Sequence, residues 1–172
     1  MIDWASILAV HGSRVWRTVY RLLDHDADAL DCYQETFLAA LQIPEPEAID
    51  DWSSFLVSLA TRRAMDRLRQ RYRFRTRCVA IDAVPEPSGE ADNPLQQAQA
   101  NELMNRVRRG MAELAEKQAE VFWLSCLEGL SNHQIAGRMQ VPPGEVRVLL
   151  HRARTRLGAL LNLNRVHARE EE

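Results

Sequence analysis

The residues with the most chemical reach are arginines, and they are gathered in two places. Residues 62–77 carry eight Arg and one Asp, and residues 138–169 carry seven Arg and one Glu. A guanidinium presents a planar fork of donors that suits phosphate oxygens and the guanine edge. Both blocks therefore point to nucleic acid as a partner. Between them, residues 78–102 hold five acids and no base, and residues 1–61 hold ten acids against three bases. The formal net charge of −2 conceals this alternation. Catalysis finds no comparable support. His11, His25, His133, His151 and His167 form no metal-ligand spacing with Cys32, Cys78 and Cys126. There is no Gly-rich phosphate loop and no nucleophile motif. The expectation is a protein that is not an enzyme, with no catalytic residue, no metal and no cofactor.

Composition sets the frame for these blocks. At 172 residues, 46% apolar and 27% charged, the chain is an ordinary globular one of one domain or two small ones. No apolar run approaches the ~18 residues of a membrane span. The start, Met1-Ile2-Asp3-Trp4, lacks a basic n-region. Three isolated cysteines suit a reducing compartment. A cytoplasmic protein without membrane insertion is expected.

The elements that must hold the arginines are all helices. Trp4, Ile7, Leu8, Val15, Trp16, Val19, Tyr20 and Leu23 recur at helical spacing, with a break or bend predicted at Gly12-Ser13. Leu30, Tyr33, Phe37, Leu38 and Leu41 predict the apolar face of a second helix, which Ile43-Pro44-Glu45-Pro46 ends. A third helix is predicted from about Asp51 to Arg73, its apolar side supplied by Phe55, Leu56, Leu59, Met65 and Leu68. Residues 78–92 lose the period and read as an acidic linker. Asn93-Pro94 looks like a cap with proline at the first helical position. Helices resume to Leu114, then over Glu116–Glu128, where Cys126 reads as a small core residue. Ser131 and Gln134 fit a capping box. A short helix to Met139 and a long one to about Leu163 follow. The fold class expected is all-α: a helical domain over 1–77, the linker 78–92, and a second helical domain over 93–172.

The last two helices have the layout of a helix-turn-helix. Ile135 and Ala136 should face the core, packed by Val146 and Leu150. That leaves Glu145, Arg147, Val148, His151, Arg152 and Thr155 on the outer, groove-facing side. An ordinary helical hairpin with a basic solvent face would show the same pattern.

At these residues the sequence resembles a known family, the extracytoplasmic-function (ECF) sigma factors of the sigma-70 type. In the second lobe the likeness runs through Leu114 to Phe122, Glu128-Gly129-Leu130-Ser131, Gln134-Ile135-Ala136, and Gly144 to Leu157 with His151-Arg152-Ala153-Arg154. In the first lobe it lies in Asp28-Ala29-Leu30-Asp31, Gln34-Glu35-Thr36-Phe37, Phe55-Leu56, Leu59-Ala60 and Asp66-Arg67-Leu68-Arg69. The resemblance covers about residues 4–162. It implies a subunit that binds core RNA polymerase and directs promoter-specific transcription initiation.

The resemblance implies that Asp31, Gln34, Glu35 and Phe37 dock on the polymerase clamp. It implies that the helix bearing Arg62, Arg63, Arg67, Arg69, Arg71 and Arg73 lies on DNA at the minus-ten element. It implies that Glu145, Arg147, Val148, His151, Arg152 and Thr155 face the upstream promoter element. In this family the loop from Gln42 to Trp52 cradles a flipped base. Trp52 itself suits either base stacking or anchoring its helix in the core. The resemblance also implies an anti-sigma factor as partner. The chain departs from the family pattern at Arg62, Ala115, Ala119, Glu145, Val148 and Leu149, where Asn, Pro, Arg, Thr, Ser and Arg are usual. Those changes put the usual promoter sequence in question. Two other readings remain: a stand-alone helix-turn-helix transcriptional regulator, and a sigma-like polymerase-binding protein with little promoter reading.

Overall fold

The computed structural model describes residues 2–77 and 94–170, with side chains described over 2–74 and 96–161. The expected linker 78–92, Cys78 and the capping residue Asn93 lie outside the described residues. Among the described residues the regular structure is entirely helical: α1 (Trp4–Leu23), α2 (Asp26–Leu41), α3 (Trp52–Arg77), α4 (Pro94–Glu113), α5 (Glu116–Cys126), α6 (Asn132–Met139) and α7 (Pro143–Glu170). One 3-10 turn, Pro46–Ala48, sits between α2 and α3. No helix among the described residues is long and apolar enough to cross a membrane.

Local chemistry starts and stops these helices. Asp3 caps α1 through the amides of Ala5 and Ser6. His25 caps α2 through the Asp28 amide. Asp51 accepts from the Ser54 amide at 3.0 Å in the first turn of α3. Ser131 and Gln134 form the predicted capping box of α6. Gly129, at φ +71°, turns the chain from α5 toward α6 in a conformation that glycine adopts without a steric penalty.

Three expectations are corrected. The first helix does not break at Gly12-Ser13, because Gly12 is a point of close approach: a β-carbon there would lie 2.7 Å from the Tyr33 hydroxyl. The buried side of α2 is not its leucine side. Ala29, Cys32, Thr36 and Ala40 face inward, and Leu30, Leu38 and Leu41 are exposed. Small residues let α1 and α3 approach α2 closely, leaving no room for leucines in the seam. Cys126 is exposed rather than a core residue, since it ends α5 on the outward side, 3.6 Å from the Arg154 guanidinium.

The core is continuous across the two lobes. Val15, Val19, Leu22 and Leu23 of α1 and Leu56, Ala60, Met65 and Leu68 of α3 belong to one buried cluster with Met111, Leu114, Ala119, Trp123, Ala153 and Leu157. A second cluster is the helix-turn-helix core: Val121, Leu124, Leu130, Ile135, Ala136, Val146, Leu149 and Leu150. It also takes in Val57 of α3. At roughly 25 cal/mol per Å² of apolar surface removed from water, such shared burial is the main force joining the lobes.

Candidate functional site

The helix-turn-helix forms as the apolar spacing requires. Ile135 and Ala136 of α6 are buried against Val146 and Leu150 of α7. Glu145, Arg147, Val148, His151, Arg152 and Thr155 are all exposed. The Thr155 hydroxyl donates to the His151 carbonyl at 3.0 Å. Arg147 and Arg152 make no ion pair with any described residue, so both guanidinium groups are open to an anionic partner. Glu145 leans toward Lys117 of α5, 3.9 Å away. Both are solvated, so the pair is weak, and the Glu145 carboxylate stays available at the start of the helix.

The arginines of α3 are less free than their number suggests. Arg67 donates to Asp31 at 3.2 Å and to Glu35 at 3.4 Å, and also to the Asp28 carbonyl at 3.2 Å. Arg63 lies 3.6 Å from Glu35. Arg71 pairs with Asp28 and donates to the Leu23 carbonyl at 2.7 Å. Arg69 pairs with Asp66 at 3.4 Å. Arg62 reaches across to Glu120 of α5 at 3.3 Å. Arg73 is exposed and has no ion pair with a described residue. It lines an open groove of about 560 Å³ between α3 and the α4–α5 turn, with Arg69, Gln70 and Glu116.

On α2, Asp31, Gln34 and Glu35 are exposed. Leu30, Leu38 and Leu41 stand out of the core on the same helix. Phe37 is half-buried, its ring 5.0 Å from that of Tyr33. The resemblance implies separate roles for the α2 acids and the α3 arginines, whereas the fold brings Asp31 and Glu35 together with Arg63 and Arg67. Trp52 packs edge-on against Trp4 at 5.3 Å and Phe55 at 5.8 Å, which holds it as an anchor for α3.

Sequence reasoning missed a set of polar residues between the lobes. Glu120 is 4% exposed, and burial pushes its carboxyl above the ordinary glutamate range, with Arg62 opposing the shift. Arg108 is also buried. It donates to the Arg21 carbonyl at 2.8 Å and to Asp24 at 2.9 Å, and burial lowers its pKa against the pull of Asp24. Arg14 and Arg21 of α1 donate to the Glu128 and Leu127 carbonyls, each at 3.2 Å, closing the end of α5. Arg138 of α6 donates to the Asp51 carbonyl at 2.7 Å, and its guanidinium lies 5.8 Å from the Phe55 ring centre. The one sequence signal was the period of α5, which sets Glu120 among Ala119, Trp123 and Leu124 on the buried side. The Asp51 carboxyl is held below the ordinary range, chiefly by the Ser54 hydroxyl. The buried Cys32 thiol is pushed up to about 11 by desolvation, which leaves it unreactive. No group of three or more His, Cys, Asp or Glu able to hold a metal occurs among the described residues.

Two family models match the chain. That of sigma-70 region 2 covers residues 7–74, and that of sigma-70 region 4 covers residues 104–157. The chain is 30% identical over 160 residues to the ECF RNA polymerase sigma factor SigE of Mycolicibacterium smegmatis, covering 91% of this chain and 61% of that protein. It is 24% identical over 161 residues to the ECF RNA polymerase sigma factor SigW of Bacillus subtilis, covering 90% of this chain and 86% of that one. The fold is similar to that of the sigma factor RpoE solved with the anti-sigma factor NepR from Bartonella quintana. The TM-score is 0.59 at 18% identity, over 93% of this chain and 97% of that one.

Proposed function

Because the chain belongs to the sigma-70 family, in its ECF group, we propose that it binds core RNA polymerase and directs promoter-specific transcription initiation. The observation that carries this reading is that one chain presents two solvent-open faces with different chemistry. One is α2, with Asp31, Gln34 and Glu35 beside the exposed Leu30, Leu38 and Leu41. The other is the α7 face of Arg147, Val148, His151, Arg152 and Thr155. Acids flanked by exposed leucines suit a basic protein surface, where opposite potentials steer encounter and the leucines add buried area. The half-buried Phe37 would support that face from beneath. An Arg-bearing second helix of a helix-turn-helix suits the major groove.

In this reading residues 1–77 form the polymerase-docking and minus-ten domain, 78–92 the linker, and 93–172 the upstream-element domain. Arg62, Arg63, Arg67, Arg69, Arg71 and Arg73 serve the minus-ten side, with Arg73 the cation most available for phosphate. The protein acts by binding rather than by catalysis, in the cytoplasm with the polymerase. An anti-sigma factor is a fitting partner, as the likeness to a sigma factor solved with one supports.

The test is run-off transcription with core polymerase on a genomic library, reading the start sites. Defined starts that depend on the added chain are expected. Changing Asp31 and Glu35 together to Arg should abolish core binding while leaving helicity intact. Unchanged affinity for core would overturn the docking assignment. DNA binding without any polymerase association would favour a stand-alone regulator.

A further inference from the structure

The chain carries 22 basic residues, and Lys117 is the one lysine among them. It sits in the first turn of α5, whose Ala119, Glu120, Trp123 and Leu124 turn inward, so Lys117 lies on the outer side of that helix. Because α5 packs on α7, this side adjoins the start of α7, and the Lys117 ammonium lies 3.9 Å from the Glu145 carboxylate. The two side chains are 61% and 43% exposed, so in the free protein water screens the pair and it adds little to the fold. On DNA the same neighbours meet different physics. Phosphates line both edges of the major groove, and a carboxylate brought between them is repelled. Water leaves the contact, and the weaker screening raises both that repulsion and the attraction to Lys117. Lysine suits this position better than arginine. An arginine fork would engage the carboxylate bidentately and fill its acceptors. An ammonium is a point charge with three rotatable donors, able to serve a carboxylate and a phosphate at once.

We propose that Lys117 is a positioning residue for promoter reading: on DNA its ammonium lies between the Glu145 carboxylate and a phosphate at the groove edge, and it holds Glu145 ionised and aimed at a base. Glu145 alone brings a charge that opposes DNA. With Lys117 the pair is neutral, yet the carboxylate keeps acceptors free. One oxygen faces the ammonium, and the other is left for a donor on a base edge, such as the cytosine amino group. The unit that reads sequence then spans two helices, α5 and α7, rather than the outer face of α7 alone. The inference rests on the reading of α7 as the helix that enters the upstream element, and it names what makes an acid there compatible with DNA.

The experiment uses holoenzyme assembled from the full chain, and an upstream element selected from random DNA with the parent protein. Affinity is measured on that element and on versions altered at single base pairs, for Lys117→Gln, Lys117→Arg, Glu145→Gln and the double variant Lys117→Gln with Glu145→Gln. Lys117→Gln should weaken binding to the selected element by about fivefold, the lower end of the range for one mismatched base pair. It should also erase discrimination at the base pair where Glu145→Gln does, and reduce the salt slope by about 0.9. The two Gln changes should be non-additive by about threefold or more. Lys117→Arg should keep the salt slope and still lose that discrimination, because its fork occupies the carboxylate. The melting temperature of the free chain should be the same for the parent and both Lys117 variants, which a purely structural role would not give. Additive effects of the two Gln changes would overturn the inference. So would a Lys117→Gln variant that weakens every sequence equally and keeps the Glu145-dependent discrimination, since Lys117 would then be a plain phosphate anchor. A holoenzyme that transcribes from defined starts but selects no upstream element would remove the reading of α7 and the inference with it, while leaving polymerase docking standing.

Discussion

Glu120 carries a carboxylate into the seam between α3 and α5, and its protonation is linked to folding. Burial raises its folded pKa above the unfolded value. The folded state therefore binds the proton more tightly, and stability contributed here falls as pH rises from about 4.3, the ordinary glutamate value, through the raised one. Glu120→Gln removes that dependence while keeping a side chain able to accept from Arg62. The variant should be at least as stable as the parent at pH 7, and its melting temperature should lose the downward slope across this window. Thermal melts between pH 4 and pH 7 check it. The opposite sign holds at Asp51, whose depressed pKa contributes stability above the unfolded value that is lost as acid protonates it. The arginines of α3 separate by their partners. Arg73 has no ion pair with a described residue, so Arg73→Ala should leave folding intact and reduce the salt slope of promoter binding by about 0.9. Arg71 ties α3 to Asp28 and the Leu23 carbonyl. Arg71→Ala should instead cost about 1–3 kcal/mol of stability, measured by urea unfolding, because it leaves partly buried acceptors unpaired.

At the scale of elements, α7 is where the chain differs most from the family pattern. Glu145 sits in the first turn, where the helix dipole stabilises a negative charge, yet the same charge repels phosphate. Its weak tie to Lys117 leaves it able to accept a hydrogen bond from cytosine N4, and the exposed Val148 can meet a thymine methyl. Changing Glu145 to Thr and Val148 to Ser should shift the preferred upstream element by roughly 1–3 kcal/mol per altered base pair. Selection from random DNA with both holoenzymes checks it, and identical motifs would show that these positions do not read sequence. The face of α7 was legible in advance because Val146, Leu150, Ala153 and Leu157 keep one strict period, the first two in the cluster with α6 and the last two in the cluster shared with α4 and α5. The inward face of α2 was not. Its leucines carry the hydrophobic signal, while the seam against α1 and α3 is closed by Ala29, Cys32, Thr36 and Ala40, chosen for size rather than hydrophobicity. Gly12 failed for a related reason: a glycine required by close approach of Tyr33 looks in sequence like a helix breaker. The residues proposed for docking and for DNA reading could be placed on faces. Their mutual pairing, Arg67 with Asp31 and Glu35, depends on how α2 crosses α3, which periodicity does not encode.

At the scale of the whole molecule, the charge pattern separates two lobes and the apolar packing joins them. A lobe of some 75 residues buries only about 60% of the surface that its unfolded chain exposes, and is marginal by itself. Here Trp123, Ala119 and Leu157 of the second lobe complete the core that α1 and α3 begin, and Val57 of the first completes the helix-turn-helix core. Neither core is whole without the other lobe. The free protein should unfold in one transition, with calorimetric and van 't Hoff enthalpies equal. Trp123 is fully buried in the shared cluster, against the guanidinium of Arg21 at 5.8 Å. Trp123→Ala should cost about 3–5 kcal/mol and lower the midpoint of both lobes together, as read by amide exchange in α2 and in α6. Protection lost in α6 while α2 keeps its parental stability would mean that the lobes fold independently and that the shared core does not couple them.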